Sequence, residues 1–195
     1  MKEYYELRAA TYDDWYLGTG RYASRDAAAW EDDLAGLVET IASLPPARTL
    51  DVACGTGFLT RHIPGDVVGF DQSPSMLEIA REQAPNATYV QGDALALPFD
   101  DGAFDRILTG HFYGHLDLDE RARFLDEARR VAQELVVVDA TVRDNHDVEE
   151  IQHRELPDGT VWPVLKRYFT PESLLGELGG GEALYAGPWF TVVRA

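Results

Sequence analysis

Ten residues, Thr49-Leu-Asp-Val-Ala-Cys-Gly-Thr-Gly-Phe58, constrain this chain more than any other stretch. Thr49 to Ala53 is a short apolar run, long enough for one buried strand. Gly55 and Gly57 interrupt it, and Phe58, Leu59 and Ile63 then follow at helical spacing. Strand, glycine turn and helix in that order open a nucleotide-binding βαβ unit. Glycine serves such a turn twice, by entering positive φ and by leaving a bare surface on which a ligand can lie. Asp71 ends a second apolar run, Val67-Val-Gly-Phe70, about twenty residues beyond Asp51, where a ribose-binding acid is expected.

The spacing also bears on which nucleotide. A dinucleotide fingerprint needs G-x-G-x-x-G, its third glycine allowing helix and strand to pack closely. Counted from Gly55 and Gly57 the third position is Thr60; counted from Ala53 and Gly55 it is Phe58. Neither fits, which disfavours an NAD-type oxidoreductase. The pattern present is D-x-A-x-G-x-G, followed by VGFDQSPSML and QGDALALPFDDGAFD. Together these stretches resemble the class I methyltransferases that use S-adenosyl-L-methionine (SAM). LDVACGTG departs from that family's commonest form in carrying Ala53 for the first glycine, as some relatives of the quinone-type enzymes do. The resemblance covers Thr49 through Asp139 well and the C-terminal part more loosely. It implies a doubly wound, Rossmann-like α/β fold, with a seven-stranded sheet of order 3-2-1-4-5-7-6 and one antiparallel strand.

Composition narrows the partners. At 195 residues the chain is expected to form one domain with a full core. A net charge of −17 repels phosphate backbones and argues against a nucleic-acid substrate. Its longest basic clusters, around Arg121 to Arg130 and at Lys166-Arg167, are short, and the first is interleaved with acids as on a solvated helix face. With one cysteine, Cys54, no intrachain disulfide can form. No signal-peptide pattern opens the chain and no apolar run is long enough to span a membrane, so the expectation is a cytoplasmic protein without membrane partners. Monomer and homodimer both stay open.

Four segments are expected. Residues 1–46 form an N-terminal helical cover, with Trp30, Leu34, Leu37, Val38 and Ile41 on one helix face and Pro45-Pro46 as its stop. Residues 47–140 form the SAM-binding core: further strands at 87–91, 104–109 and 135–139, a helix begun by Ser73-Pro74, and another over 119–132. Only Gln133-Glu134 separates that last helix from its strand. Residues 141–170 show no clear periodicity and are placed as a substrate-side insert. Residues 171–195 read as a helix started by Thr170-Pro171 and a hairpin turned at Gly187-Pro188.

Several residue types in these positions point to chemistry. Asp71, as a carboxylate, can accept from both ribose hydroxyls, with Gln72 beside it; an ordinary strand-end Asp capping at Ser73 is the bland alternative. By resemblance, Asp93 accepts from the adenine amino group and the Ala94 backbone N–H meets a ring nitrogen, although a turn-forming Asp is the competing reading. Met76, with Leu97, is placed against the adenine. Asp51, Ala53, Gly55, Gly57 and Thr109 complete the cofactor set, Asp51 toward the amino-acid ammonium or as a cap of the turn. The Ala10-Thr-Tyr12-Asp13 run resembles a segment that folds over SAM, placing Tyr12 at its methionine end; Arg21 is a candidate for the carboxylate.

Thr109-Gly-His111-Phe-Tyr113-Gly-His115 leaves the C-terminal end of the fourth strand, where open α/β sheets bind ligands. His111 is the candidate proton acceptor, since an imidazole ordinarily titrates near neutrality. Tyr113, His115, His146, His153, Trp162 and Tyr168 are candidates for substrate contact. No metal is expected: Gly110 and Gly114 make a helix bearing His111 and His115 poor, and no acidic partner is evident. Expected, then, is methyl transfer from SAM to an O, N or C atom of a small molecule. The alternative is a SAM-binding regulatory or partner protein without transfer, which a substrate region sealed by the 141–170 insert would favour.

Overall fold

A computed structural model describes residues 2–20, 27–143 and 147–195. Its centre is a seven-stranded sheet, β3-β2-β1-β4-β5-β9-β8. Strands β1 (Ala47–Val52), β2 (Gly65–Asp71), β3 (Thr88–Gln91), β4 (Phe104–Gly110) and β5 (Ala132–Ala140) run parallel, and β9 (Phe190–Arg194) runs antiparallel to both β5 and β8 (Glu182–Ala186). This is the expected order; the last strands carry higher numbers because an additional pair, β6 (Glu149–Glu155) and β7 (Val161–Arg167), precedes them. Among the described residues no helix is long and apolar enough to cross a membrane.

Period-two alternation divides the core between the two faces of the sheet. Ile107 and Val137 join Leu50, Val52 and Phe70 on one face, under α5 (Leu118–Val131) and α6 (Pro171–Leu178). Leu108, Val136 and Val138 face the other way, against Leu37 and Ile41 of α3 (Ala27–Ala42). Leu37 and Ile41 are wholly buried, and each such burial stabilises by about 1.5–3 kcal/mol. Both faces of β5 are covered, which is why its central run is continuously apolar.

Local signals explain where elements start. Asp117 accepts from Glu120 N–H while the Glu120 carboxylate accepts from Asp117 N–H, a capping box that begins α5. Ser73 caps α4 (Pro74–Gln83) by accepting from Met76 N–H, with Pro74 in the first turn. Thr170 and Ser173 form the same reciprocal pair at α6. The α5–β5 junction is tighter than expected, since β5 begins at Ala132, directly after Val131, and takes in Gln133 and Glu134.

Two expectations are corrected. No α-helix follows the glycine turn; a single 3-10 turn, Thr60–His62, stands there. Only residues 53–64 connect β1 to β2, the turn consumes the first of them, and Pro64 disfavours helical geometry at the residue before it. The 141–170 segment, read as aperiodic, holds the β6–β7 hairpin, turned near Pro157-Asp158-Gly159. That hairpin packs Leu156 and Val164 on Tyr4 of α1 (Lys2–Arg8).

Candidate active site

At the C-terminal ends of β1, β2 and β4 the turn after β1 leaves a cavity of about 280 Å3. Ala53 adopts φ 57°, Gly55 55° and Gly57 80°. For Ala53 this left-handed backbone costs about 1–2 kcal/mol relative to a glycine's freedom. The Asp71 side chain spans the turn: Oδ2 accepts from Gly55 N–H (3.0 Å) and Oδ1 from Ser73 N–H (2.9 Å). Burial raises its pKa, and those two N–H bonds pull it back. Each carboxylate oxygen has a second lone-pair direction, so a fixed, nearly buried carboxylate remains able to accept from a vicinal diol.

Of the residues expected at the cofactor, Tyr12, Ala53, Gly55, Asp71, Gln72, Met76, Asp93 and Ala94 line this cavity. Asp93 also accepts from Leu95 N–H (2.9 Å), so it makes its turn as well. Asp51, Gly57 and Thr109 do not line it. Asp51 is buried against Thr60, whose hydroxyl donates to it at 2.6 Å, and burial pushes its carboxyl up to about 7. Thr109 donates to the Val52 carbonyl (2.8 Å) inside the sheet. Gly57 serves packing: a Cβ there would lie 3.2 Å from the Ala80 backbone in α4. Leu97 belongs to the core, and Leu95, Phe70 and Phe112 supply the apolar wall instead. Arg21 and His146 lie outside the described residues.

The N-terminal segment closes the cavity from above, and acids latch it. Asp13 accepts from the Thr56 hydroxyl (2.5 Å) and from Gln83 Nε2 (2.6 Å). Glu6 accepts from both the backbone N–H and the hydroxyl of Ser75. Tyr16 stacks on Phe58 with ring centroids 3.9 Å apart. Thus fixed, the Tyr12 ring stands over Gly55, 3.6 Å from where a Cβ would be. Tyr5, Arg8 and Trp15 were not expected at the site. Tyr5, Arg8 and Tyr12 recur at near-helical intervals, which is the pattern that would have found them.

A second cavity, about 840 Å3, adjoins the first. Tyr5, Tyr12, His111 and His115 line both, and so form the junction between them. His153 and Tyr168, candidates for substrate contact, line the larger one. Tyr113 and Trp162 do not: Tyr113 is buried and donates to Glu177 (3.1 Å), and Trp162 packs near Tyr4.

His111 occupies the junction on a strained backbone, φ 54°, with its N–H on the Val138 carbonyl. Its ring meets Trp15 edge-on at 4.5 Å, and its Nε2 is buried without a hydrogen-bond partner among the described residues. Burial pushes its pKa down to about 3, with Lys166 and Arg154 adding to the effect against the pull of Asp139. This corrects the expectation of an imidazole poised near neutrality: at pH 7 His111 is neutral and a weak base. His115 is held neutral likewise, and its Nδ1 meets the Leu165 carbonyl at 2.5 Å, which it reaches as a donor. Burial raises Tyr5 to about 12 and Tyr12 higher still, so both phenols remain protonated donors. Among the described residues no group of three His, Cys, Asp or Glu side chains is arranged to hold a metal ion.

Behind the junction, Asp139 is fully buried at the end of β5. It accepts from Lys166 Nζ (2.6 Å), Gly114 N–H (2.7 Å) and Ala140 N–H (2.8 Å), tying the hairpin to the loop after β4. Burial is the largest single influence and raises its pKa, but the charge and hydrogen bond of Lys166, with smaller contributions from His111 and His115, together hold it below the usual range.

A parallel, doubly wound sheet with a glycine turn, a strand-end acid and a ligand cavity at the switch point defines a Rossmann-like nucleotide-binding protein. Residues 49–134 match a family model described as a methyltransferase domain. The chain is 39% identical over 100 residues to the demethylmenaquinone methyltransferase of Thermotoga maritima, covering 49% of this chain and 43% of that one. It is 44% identical over 94 residues to dTDP-3-amino-3,4,6-trideoxy-alpha-D-glucopyranose N,N-dimethyltransferase of Streptomyces venezuelae, covering 46% and 37%. The aligned stretch thus spans less than half the length of these curated relatives. Among solved structures, the DhpI-SAM-HEP complex superposes with a TM-score of 0.73 at 23% identity, over 98% of this chain and 94% of that chain, a likeness of fold.

Proposed function

We propose that this chain is a SAM-dependent methyltransferase acting on a small molecule. The observation that carries this reading is the pair of adjoining cavities sharing Tyr5, Tyr12, His111 and His115. One cavity carries the carboxylates and backbone groups suited to the cofactor; the other is a separate space on the far side of four side chains. Support comes also from the methyltransferase-domain match and from the SAM held by the structural neighbour.

In this reading Asp71 accepts from the ribose diol, Asp93 and the Ala94 N–H take the adenine edge, and Met76 with Leu95 covers its faces. When bound, SAM supplies an electrophilic methyl on a sulfonium sulfur. The protein's share is positioning and the exclusion of water, which is worth most when acceptor and methyl are held at near-attack distance. Tyr5 and Tyr12 line the passage as protonated donors. His111, neutral, lines the junction with its ring while its Nε2 stays buried, and its depressed pKa makes it a poor general base, because proton transfer is most efficient when the pKa lies near the working pH. A SAM-binding protein without transfer needs no second chamber, and an open one of about 840 Å3 favours turnover.

Calorimetry with SAM, its demethylated product S-adenosylhomocysteine (SAH) and NADH tests the reading, followed by a radiolabelled-methyl screen of small acids, phenols, amines and quinone precursors. SAM and SAH are expected to bind and NADH far more weakly. Tight NADH binding without SAM binding would overturn it.

A further inference from the structure

The chain carries 34 acidic residues against 17 lysines and arginines. The walls of the larger cavity reverse that balance: Arg8, Arg143 and Arg154 face it, together with Lys166, which is paired with Asp139, and among its described lining residues only Glu150 is acidic. Glu150 is itself engaged, accepting from the Tyr168 hydroxyl (2.8 Å) and from Gln152 Nε2 (2.8 Å). An excess of cations in one recess of so acidic a molecule costs solvation and mutual repulsion, and a bound anion relieves both.

We propose that this cavity binds a small oxyanion, a carboxylate or a phosphoryl-type group, and that the charged group marks the methyl-accepting substrate; the assignment rests on the methyltransferase reading above. Arg154 is the principal contact. Its Nε and Nη2 both donate to Gln152 Oε1 (3.0 and 2.8 Å), which fixes the fork while Nη1 makes no such bond, and no carboxylate lies within salt-bridge distance among the described residues. A guanidinium held by a neutral amide keeps its charge for a ligand, and a preset fork loses little freedom on gripping an oxyanion. Arg8 is buried, with Nη1 donating to the Tyr4 hydroxyl (2.9 Å) and its guanidinium over the Tyr12 ring (5.1 Å). Arg8 and Arg154 both act electrostatically on Tyr5 and Tyr12, which places two positive charges beside the junction.

The same walls select against other acceptors. A protonated amine would meet like charge from Arg8, Arg143 and Arg154, with Glu150 the one acid among the described lining residues. A neutral phenol would need a base, and His111 and His115 are both held neutral with depressed pKa values. An oxyanion has no proton to lose.

The test is a titration of the SAH-loaded protein with sodium benzoate, methylphosphonate, phenol and benzylamine, read by tryptophan fluorescence, because Trp15, Trp30 and Trp189 line the cavity. Benzoate or methylphosphonate is expected to bind saturably, whichever of the two is tighter naming the oxyanion, with phenol and benzylamine weaker. Arg154→Gln should weaken anion binding about 10- to 100-fold, while SAH affinity measured separately by calorimetry stays within about twofold. Saturable, Arg154-dependent anion binding by a protein that does not bind SAH would sustain the oxyanion site and remove the methyltransferase reading. Normal SAH binding with no anion binding, or with anion binding indifferent to Arg154→Gln, overturns the proposal and leaves that reading standing.

Discussion

Replacing Lys166 by methionine keeps most of the side chain's length and removes its charge. Asp139 would then stay fully buried with the N–H groups of Gly114 and Ala140 but no counter-ion. Breaking one side of a buried pair costs about 3–5 kcal/mol, chiefly through the uncompensated charge left behind. The pH dependence carries its own signature. In the native protein the Asp139 pKa is lowered, so the pair's contribution is present above the usual carboxylate range and is lost as pH falls through it. Without Lys166, burial dominates and the folded-state pKa rises above the unfolded value, so the deficit is largest at high pH and shrinks as the carboxyl protonates. Urea unfolding followed by far-ultraviolet circular dichroism, at pH 8 and pH 5, measures both. The expected result is a loss of about 3–5 kcal/mol at pH 8, a smaller one at pH 5, and partial recovery in Asp139→Asn/Lys166→Met beyond the sum of the single changes. A loss under about 1 kcal/mol at pH 8, or additive singles, would mean that water entering from the cavity solvates Asp139, and the account of the pair as a buried tie between hairpin and loop would be wrong.

Three further outcomes are expected. Asp71→Asn should weaken SAH binding by about 10- to more than 100-fold in calorimetry, from the loss of charge-assisted bonds worth about 1.5–3 kcal/mol; unchanged affinity would remove Asp71 from the ribose. His111→Gln should make the protein less acid-sensitive: with a folded pKa of about 3 against 6.5 when free, the histidine's contribution is complete above about pH 6.5 and is lost as pH falls toward 3, up to about 5 kcal/mol. Equal slopes of unfolding free energy against pH for the two proteins would contradict that burial, even though Asp51, with its raised pKa, acts in the opposite sense in both. Gly57→Val should destabilise folding by about 2–3 kcal/mol as well as impair SAH binding, because the side chain meets the Ala80 backbone at positive φ; a mutant as stable as the parent in urea would place Gly57 back on the ligand side.

Parallel strands buried on both faces announce themselves as apolar runs, and 49–53, 67–70 and 135–138 were readable for that reason. The missing helix was not: Phe58, Leu59 and Ile63 have helical spacing, and only the shortness of the connection before Pro64 forbids it. The hairpin stayed hidden because β6, Glu-Glu-Ile-Gln-His-Arg-Glu, turns one side to a polar cavity and so shows no apolar alternation, while β7 carries Pro163. The cofactor turn is local in sequence and could be read from spacing. The larger cavity is assembled from the N-terminal segment, Trp30, the end of β5 with Thr141 and Arg143, the hairpin with Tyr168, and Trp189; of its described walls only His111 and His115 fall within residues 49–134. Similarity confined to that segment therefore speaks to the cofactor side far more than to the acceptor.

Between β1 and β2 the chain leaves out a helix, and with it an electric field. A full helix after the turn would aim unpaired N–H groups and about half a positive charge at the ligand, the arrangement that holds a pyrophosphate. Three residues of 3-10 turn supply little of this. Three of the turn's own donors are also spent within the protein: Cys54 N–H on the Phe70 carbonyl, Gly55 N–H on Asp71, and Gly57 N–H on the Cys54 carbonyl. A phosphate laid here would meet the Asp71 carboxylate with no positive pole to offset it. SAM brings no phosphate to this turn and has no need of such a pole, so the missing helix weighs against a dinucleotide as the ligand here.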